Sequence, residues 1–261
     1  MNEYSLSPEF SYVIVPDLHG EYRIVEDLIR RHGGDDGIRF IFLGDLVDRG
    51  ESSHKTFRLV KSLIDSGKAH GVISNHDNKF YRFLKKWLFD TNRDKYLTRS
   101  EFEFDDMFDK PKMYGMTLSH GLQKTVLEFY SLDSTDMDAY AKDFISYFES
   151  LAPYHLVIKG DTKHYFCHAG ISHNSARGIH VNEADRAAAM YTIVHNASEV
   201  AERFAHEGEH KVILHVGHHH VANQQMIFWH NDSCALYQHD IGIGKRVIDY
   251  TEEGFPAFVM I

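Results

Sequence analysis

The sequence predicts an α/β protein, and three observations carry that prediction. Short runs of β-branched and aromatic residues, apolar throughout, alternate with segments of helical periodicity in the first third of the chain. A helical, acidic and aromatic stretch follows from Thr91 to about Leu151, and the final third returns to strands.

The chain has 261 residues, 43% apolar and 25% charged. That is enough to bury a substantial core in one large unit carrying an insertion. We therefore expect a single domain over residues 1–261, with the insertion at about 91–151.

The first strands read as "SYVIV" (11–15), "IRFIFL" (38–43) and "HGVIS" (70–74). They lack polar alternation, as strands do in a sheet covered on both faces. Between them, "EYRIVEDLIRRHGG" sets Tyr22, Val25, Leu28 and Ile29 on one stripe and ends in a glycine pair suited to a left-handed cap. "HKTFRLVKSLIDSG" repeats the plan with Phe57, Val60 and Ile64. The opening is β-α-β-α-β.

After Asn75 a helix places Lys79, Arg82 and Lys86 on one face and Phe80, Phe83, Leu84 and Trp87 on the other. This is an ordinary solvated basic face or an electrostatic approach for a phosphorylated substrate. Within the insertion, "MDAYAKDFISYFESL" reads as an amphipathic helix. The strands of the final third are "KHYFCH", "KVILHV", "QMIFW", "CALYQ", "KRVIDY" and "AFVMI", with one long helix at about 183–206 between the first two. They are spaced like a second sheet.

A formal net charge of -10 argues against a chain that wraps nucleic acid through a general basic surface. Two cysteines, Cys167 and Cys234, are too few for a disulfide framework. No segment resembles a signal peptide, and no apolar run approaches the ~20 residues that span a bilayer. The expected setting is the cytoplasm, without a membrane partner.

Five strand ends carry metal-competent side chains: "PDLHG", "GDLVDRG", "SNHDN", "CHAG" and "LHVGHHH". Loops from distant positions converge at the carboxyl ends of strands in α/β proteins. Taken singly, an Asp before Gly is a turn residue and a strand-end His a hydrogen-bonded structural one. Turn chemistry does not ask for all of them at successive strand ends.

Asp17, His19, Asp45, Asn75, His168 and His218 offer mixed oxygen and nitrogen donors without thiolates, which suits first-row divalent ions rather than a structural zinc site. With Asp45 bridging, the set can hold two ions about 3.5–4 Å apart, the spacing of enzymes that hydrolyse phosphate esters by in-line displacement through an activated hydroxide. Asp48 is then free to accept a hydrogen bond from His76, which can protonate a leaving alkoxide. Arg49 offers a planar fork of donors to phosphate oxygens.

In order along the chain, "DLHG", "GDLVDRG", "NHD", "HAG" and "GH" resemble the signatures of the calcineurin-like metallophosphoesterases, in the phosphoprotein phosphatase branch. The resemblance implies two β-sheets packed face to face with helices outside, a four-layer sandwich. It implies Asp17, His19 and Asp45 on one metal, and Asp45, Asn75, His168 and His218 on the other. His76 would be the acid, Asp48 its partner and Arg49 a phosphate ligand, with Mn2+ the expected metal and Fe, Zn or Mg the alternatives.

Two positions depart from the pattern: Pro16 and Ser74 stand where the family has glycine. Proline stiffens the first loop, and Ser74 requires a backbone conformation that tolerates a Cβ.

The resemblance implies a phosphate monoesterase similar to protein serine/threonine phosphatases. "NHD" in place of "NHE", together with "TLSHGLQKTVLEF", is also similar to diadenosine tetraphosphatase-like enzymes and the phosphatase module of bacterial polynucleotide kinase-phosphatase. Dinucleoside polyphosphates, RNA-end phosphates or cyclic nucleotides are therefore the alternative substrates, and a metal-binding interaction module without turnover is a third reading. The expected partner is a phosphorylated substrate, phosphoprotein or nucleotide. Arg177 and Arg186 are candidates for a second phosphate ligand, and His120 and His220 stand beside the motifs with roles left open.

Overall fold

Along the chain the elements run β1 (Ser11–Val15), α1 (Tyr22–His32), β2 (Ile38–Phe42), α2 (Ser53–Asp65), β3 (Ala69–Gly71) and α3 (Asn75–Phe89). A short hairpin, β4 (Lys112–Met113) and β5 (Met116–Thr117), leads into α4 (Leu122–Tyr130) and α5 (Ser134–Ser150). Then come β6 (His155–Lys159), β7 (Thr162–Cys167), α6 (His173–Ala176), α7 (Glu183–Tyr191), α8 (Ala197–Arg203), β8 (Lys211–Val216), β9 (Met226–Trp229) and β10 (Cys234–Gln238). This computed structural model describes residues 3–91, 112–177, 182–192, 194, 197–204, 211–218, 226–229, 234–239 and 260–261.

The first sheet is parallel, β1-β2-β3, with Val13 opposite Phe40 and Phe40 opposite Ala69. The second has the order β6-β7-β8-β10-β9, its three central strands parallel and its two edge strands antiparallel.

The pleat divides the side chains of each strand between two cores. Tyr12 and Ile14 of β1 and Ile41 of β2 meet Val157 and Phe166 of the other sheet in an apolar layer between the sheets. Val13, Val15, Phe40 and Phe42 point the other way, into a large core with Phe57, Phe80, Phe83, Trp87, Phe129 and Phe144 from the helices. On the far side, Tyr165, Cys167, Leu214 and Val216 pack with Val200 of α8. This helix-sheet-sheet-helix layering is the expected α/β sandwich, and it accounts for strands that carry no polar alternation.

The structure corrects several local readings. The helix expected at about 183–206 is two helices, α7 and α8. It breaks at Thr192, an extended residue whose carbonyl packs on Gly170, where a Cβ would collide with it. The β-branched run Thr192, Ile193, Val194 favours that break.

Gly33 ends α1 in right-handed conformation (φ -64°), so the expected left-handed cap is not used there. β3 is shorter than the apolar run implies: Val72 still donates to the Phe42 carbonyl at 3.2 Å but forms an isolated bridge with Ala152 beyond the strand. The hairpin strand β6 is an addition to the strands expected from the sequence.

Residues 122–130 and 134–150 are helical, in α4 and α5, and α3 buries Phe80, Phe83, Leu84 and Trp87 as its periodicity requires. The expected strand "KRVIDY", most of "AFVMI" and part of the insertion lie outside the described residues. Ile261 pairs with Tyr12 on the free edge of β1.

Candidate metal centre

Every one of the five motif loops leaves the carboxyl end of a strand: β1, β2, β3, β7 and β8 in turn. The sheets bring these ends together, and the loops bend sharply to aim their side chains inward. His19 (φ 45°), Asp45 (49°), Asp48 (77°), Arg49 (66°) and His218 (53°) all take left-handed conformation. That conformation costs a non-glycine residue on the order of 1 kcal/mol or more, and it persists only where the surroundings over-determine it.

Asp45 lies at the centre. Its Oδ1 accepts the backbone N–H of His76 at 3.0 Å and stands 3.5 Å from His168 Nε2. Its Oδ2 stands 3.8 Å from His19 Nε2 and 3.9 Å from His76 Nε2. Two groups of donor atoms that could hold a metal ion, each within 4.8 Å of one another, share this residue: His19, Asp45, His76 and Asp45, His168, His218.

Asp17 adjoins both groups without belonging to either. Its Oδ2 is 4.0 Å from His19 Nε2 and its Oδ1 3.8 Å from His168 Nδ1, while it accepts the His218 N–H at 3.0 and 3.2 Å.

Hydrogen bonds on the far side of each ring set which nitrogen faces inward. His19 Nδ1 donates to the Val47 carbonyl at 3.1 Å and His168 Nδ1 to the Leu43 carbonyl at 2.8 Å, so both rings turn an Nε2 lone pair toward Asp45. Burial pushes His19 down to about 3, with Asp45 partly offsetting the shift, so the ring is neutral and ligand-competent at neutral pH. Burial opposes ionisation of Asp45, but the His168, His76 and His19 rings hold its carboxyl below the usual carboxylate range.

Asn75 tests the fit of a cation. With its amide nitrogen turned inward, that nitrogen lies within hydrogen-bond reach of His168 Nε2 (2.8 Å), His218 Nδ1 (3.1 Å) and both Asp45 oxygens (3.2 and 3.3 Å), more acceptors than its two N–H bonds can serve. One point is thus surrounded by four acceptors. A divalent cation satisfies the same four, and with the oxygen turned inward Asn75 becomes a further ligand.

A second constellation adjoins the first. His76 Nδ1 lies 2.5 Å from Asp48 Oδ2, with Asp48 fully buried. The Arg49 guanidinium spans two rings, Nη1 donating to His19 Nε2 at 2.7 Å and Nη2 to His76 Nε2 at 3.2 Å.

The remaining candidates separate. Arg186 donates to the Leu151 carbonyl at 3.3 Å, and Arg177 is exposed after α6. His120 is exposed with φ 62°, next to Gly121, which packs on Asp48 and Arg49. His220 lies outside the described residues.

Ser74, the departure that had to tolerate a Cβ, does so in ordinary extended conformation (φ -140°). Sequence reasoning missed Asp77, whose Oδ1 accepts the N–H groups of Leu46 (2.9 Å) and Val47 (3.3 Å) and so ties α3 to the second loop. Burial, with Asp45 adding, pushes Asp77 up to about 7. The only signal for it was its place in the "NHD" motif, one helical step past His76.

A model of the calcineurin-like phosphoesterase family matches residues 10–222. The bis(5'-nucleosyl)-tetraphosphatase PrpE (asymmetrical) of Geobacillus thermodenitrificans is 30% identical over 170 residues, 62% of this chain and 58% of that protein. Its counterpart in Bacillus mycoides is 31% identical over 171 residues, 61% and 57% of the two chains. The chain thus matches less than two thirds of the length of these relatives.

Among solved structures, a Saccharomyces cerevisiae protein serine/threonine phosphatase with similarity to human phosphatase PP5 superposes with a TM-score of 0.56. It is 15% identical, with 90% of this chain and 70% of that one covered, and it shares the fold.

Proposed function

The chain belongs to the calcineurin-like phosphoesterase family, and from that membership we propose that this hydrolase cleaves phosphate monoesters. The observation that supports the reading best is the Asp48–His76 pair at 2.5 Å, with Arg49 against the same imidazole. An imidazole held through Nδ1 presents Nε2 as the atom that, once released from Arg49 and protonated, delivers a proton to a leaving oxygen. Poor leaving groups such as the alkoxide of a serine or threonine ester need that proton.

The family implies divalent metal ions. We propose that Asp17, His19 and Asp45 hold one ion and that Asp45, Asn75, His168 and His218 hold the other, with Mn2+ the expected metal. Bound there, the ions would acidify a water and neutralise phosphoryl oxygens. Arg49 would supply two parallel donors to the non-bridging oxygens in place of the Nε2 atoms of His19 and His76 to which it now donates. Asp77 and Ser74 fix the backbone that carries Asp45. We place this chemistry in one domain over residues 1–261, with 91–151 as its insertion.

A second reading has its own support. The relatives named bis(5'-nucleosyl)-tetraphosphatase favour a dinucleoside polyphosphate as substrate.

Purified protein with Mn2+ is expected to hydrolyse p-nitrophenyl phosphate, to lose the activity in an Asp45→Asn variant, and in His76→Ala to lose more activity on phenyl phosphate than on p-nitrophenyl phosphate. Absence of turnover with any divalent metal overturns the reading. A parallel panel of phosphopeptide, diadenosine tetraphosphate and 2',3'-cyclic nucleotide ranks the substrates. A large preference for diadenosine tetraphosphate selects the second reading.

A further inference from the structure

Helix α4 presents one face to the segment that carries Asp48 and Arg49, with contacts at positions 121, 125 and 128, the spacing of one helical stripe. Gly121, at its N-cap, packs so closely that a Cβ would stand 2.6 Å from the Arg49 nitrogen and 3.0 Å from Asp48 Cβ. Glu128 accepts the N–H groups of Ser53 (2.8 Å) and His54 (3.1 Å) and the Ser52 hydroxyl, capping α2. Between them, Thr125 reaches Asp48 itself.

We infer that Thr125 is a positioning residue for proton delivery, holding the Asp48 carboxylate in the orientation that aims His76. The inference rests on the proposed role of His76 as proton donor. Thr125 Oγ1 donates to Asp48 Oδ1 at 2.7 Å, while Asp48 Oδ2 lies 2.5 Å from His76 Nδ1.

The hydrogen bonds here have one consistent direction. The Asp48 N–H reaches both Ser53 Oγ and Thr125 Oγ1 at 3.0 Å, and the two hydroxyls lie 3.0 Å apart. A hydroxyl has one proton and two lone pairs, and a carboxylate can only accept. Ser53 therefore donates to Thr125, and the Thr125 proton goes to Asp48 Oδ1. Both carboxylate oxygens are then engaged, one by the insertion helix and one by the imidazole, so the carboxylate plane cannot turn.

Thr125 is 2% exposed and Asp48 0%, so water does not readily replace a lost hydroxyl. Loss of a hydrogen bond to a buried charged group is expected to lower kcat about tenfold or more.

The test exploits the leaving group. p-Nitrophenolate departs without help, whereas the more basic phenolate of phenyl phosphate gains from a proton. Wild type, Thr125→Val, Thr125→Ser, His76→Ala and, as a comparator for loosened packing of α4, Glu128→Gln are assayed on both esters with Mn2+. Thermal melts accompany the assays.

In Thr125→Val, kcat for phenyl phosphate is expected to fall about tenfold more than kcat for p-nitrophenyl phosphate, with KM changed less than about twofold. Thr125→Ser, which keeps the hydroxyl, restores the ratio, and Glu128→Gln leaves the ratio at the wild-type value. Equal losses on both esters in Thr125→Val, beside an unequal loss in His76→Ala, overturn the role of Thr125 alone. Equal losses in His76→Ala overturn the proton-donor reading and this inference with it.

Discussion

The Ser74 hydroxyl accepts the backbone N–H of Asp45 at 2.8 Å, so the serine that replaces the family's glycine holds the central carboxylate in place. Its Cβ rests on Gly44, which has φ 97° and no room for a side chain. Ser74→Ala leaves a buried N–H without its acceptor and is expected to lower stability by about 1–3 kcal/mol, read as a shifted urea midpoint at unchanged slope. A midpoint equal to wild type would show that the hydroxyl does not hold the loop.

Gly121, at the N-cap of α4, touches the same region. Alanine there meets a φ of 101°, and its Cβ would stand 2.6 Å from the Arg49 backbone nitrogen and 2.8 Å from Arg49 Cγ, so the backbone that carries Arg49 must give way and the guanidinium moves with it. Gly121→Ala is expected to raise KM for a phosphate monoester several-fold, with a smaller fall in kcat. A fall in kcat at constant KM would count against Arg49 as a substrate ligand.

Chelation tests the donor cluster without reference to turnover. Four acceptors around Asn75 repel one another less when a cation lies between them, so the folded state should bind divalent ions far better than the unfolded chain. Mn2+ at about a hundredfold excess over its Kd stabilises by about 2.7 kcal/mol, and a chelator reverses the gain. The rise in melting temperature should shrink or vanish in Asp45→Asn, since that residue stands in both groups. An undiminished rise in the variant would place the ion elsewhere.

His155 makes stability depend on pH away from the site. Burial, and next to it the His70 ring, push it down to about 4, and its Nε2 lies 3.0 Å from the Gly71 carbonyl. A histidine whose folded value lies below its unfolded value near 6.5 binds its proton more readily in the unfolded chain. Its contribution is therefore complete above about 6.5 and is lost as pH falls toward about 4. Asp77, raised to about 7, acts with the opposite sign over the same range, so a difference measurement is needed. His155→Gln is expected to flatten the fall in melting temperature between pH 6.5 and 4, and an unchanged slope would show that another group carries it.

Motif and period made much of this protein legible before any coordinates. The strands at 11–15 and 38–43, the helices after them and the six donor positions follow from residue types at spacings that a metal-binding α/β fold requires and ordinary turn chemistry does not. The apolar stripe of α3 could be read because Phe80, Phe83, Leu84 and Trp87 repeat at helical intervals. β6 escaped because "HLVIK" is short and begins with a histidine, and the break at Thr192 depends on Gly170, a contact across the fold that local propensity does not contain.

The sequence by itself determined which metal-competent side chains stand at which strand ends, because donor chemistry and periodicity are local properties. Only the tertiary structure decided that Asp45 stands between two groups of donors, that Ser74 turned a departure into a support, and that Thr125 of α4 reaches Asp48. Those outcomes depend on distances between residues from 26 (His19 to Asp45) to 173 (Asp45 to His218) positions apart, which the packing of two sheets and their helices sets and no stretch of chain encodes alone.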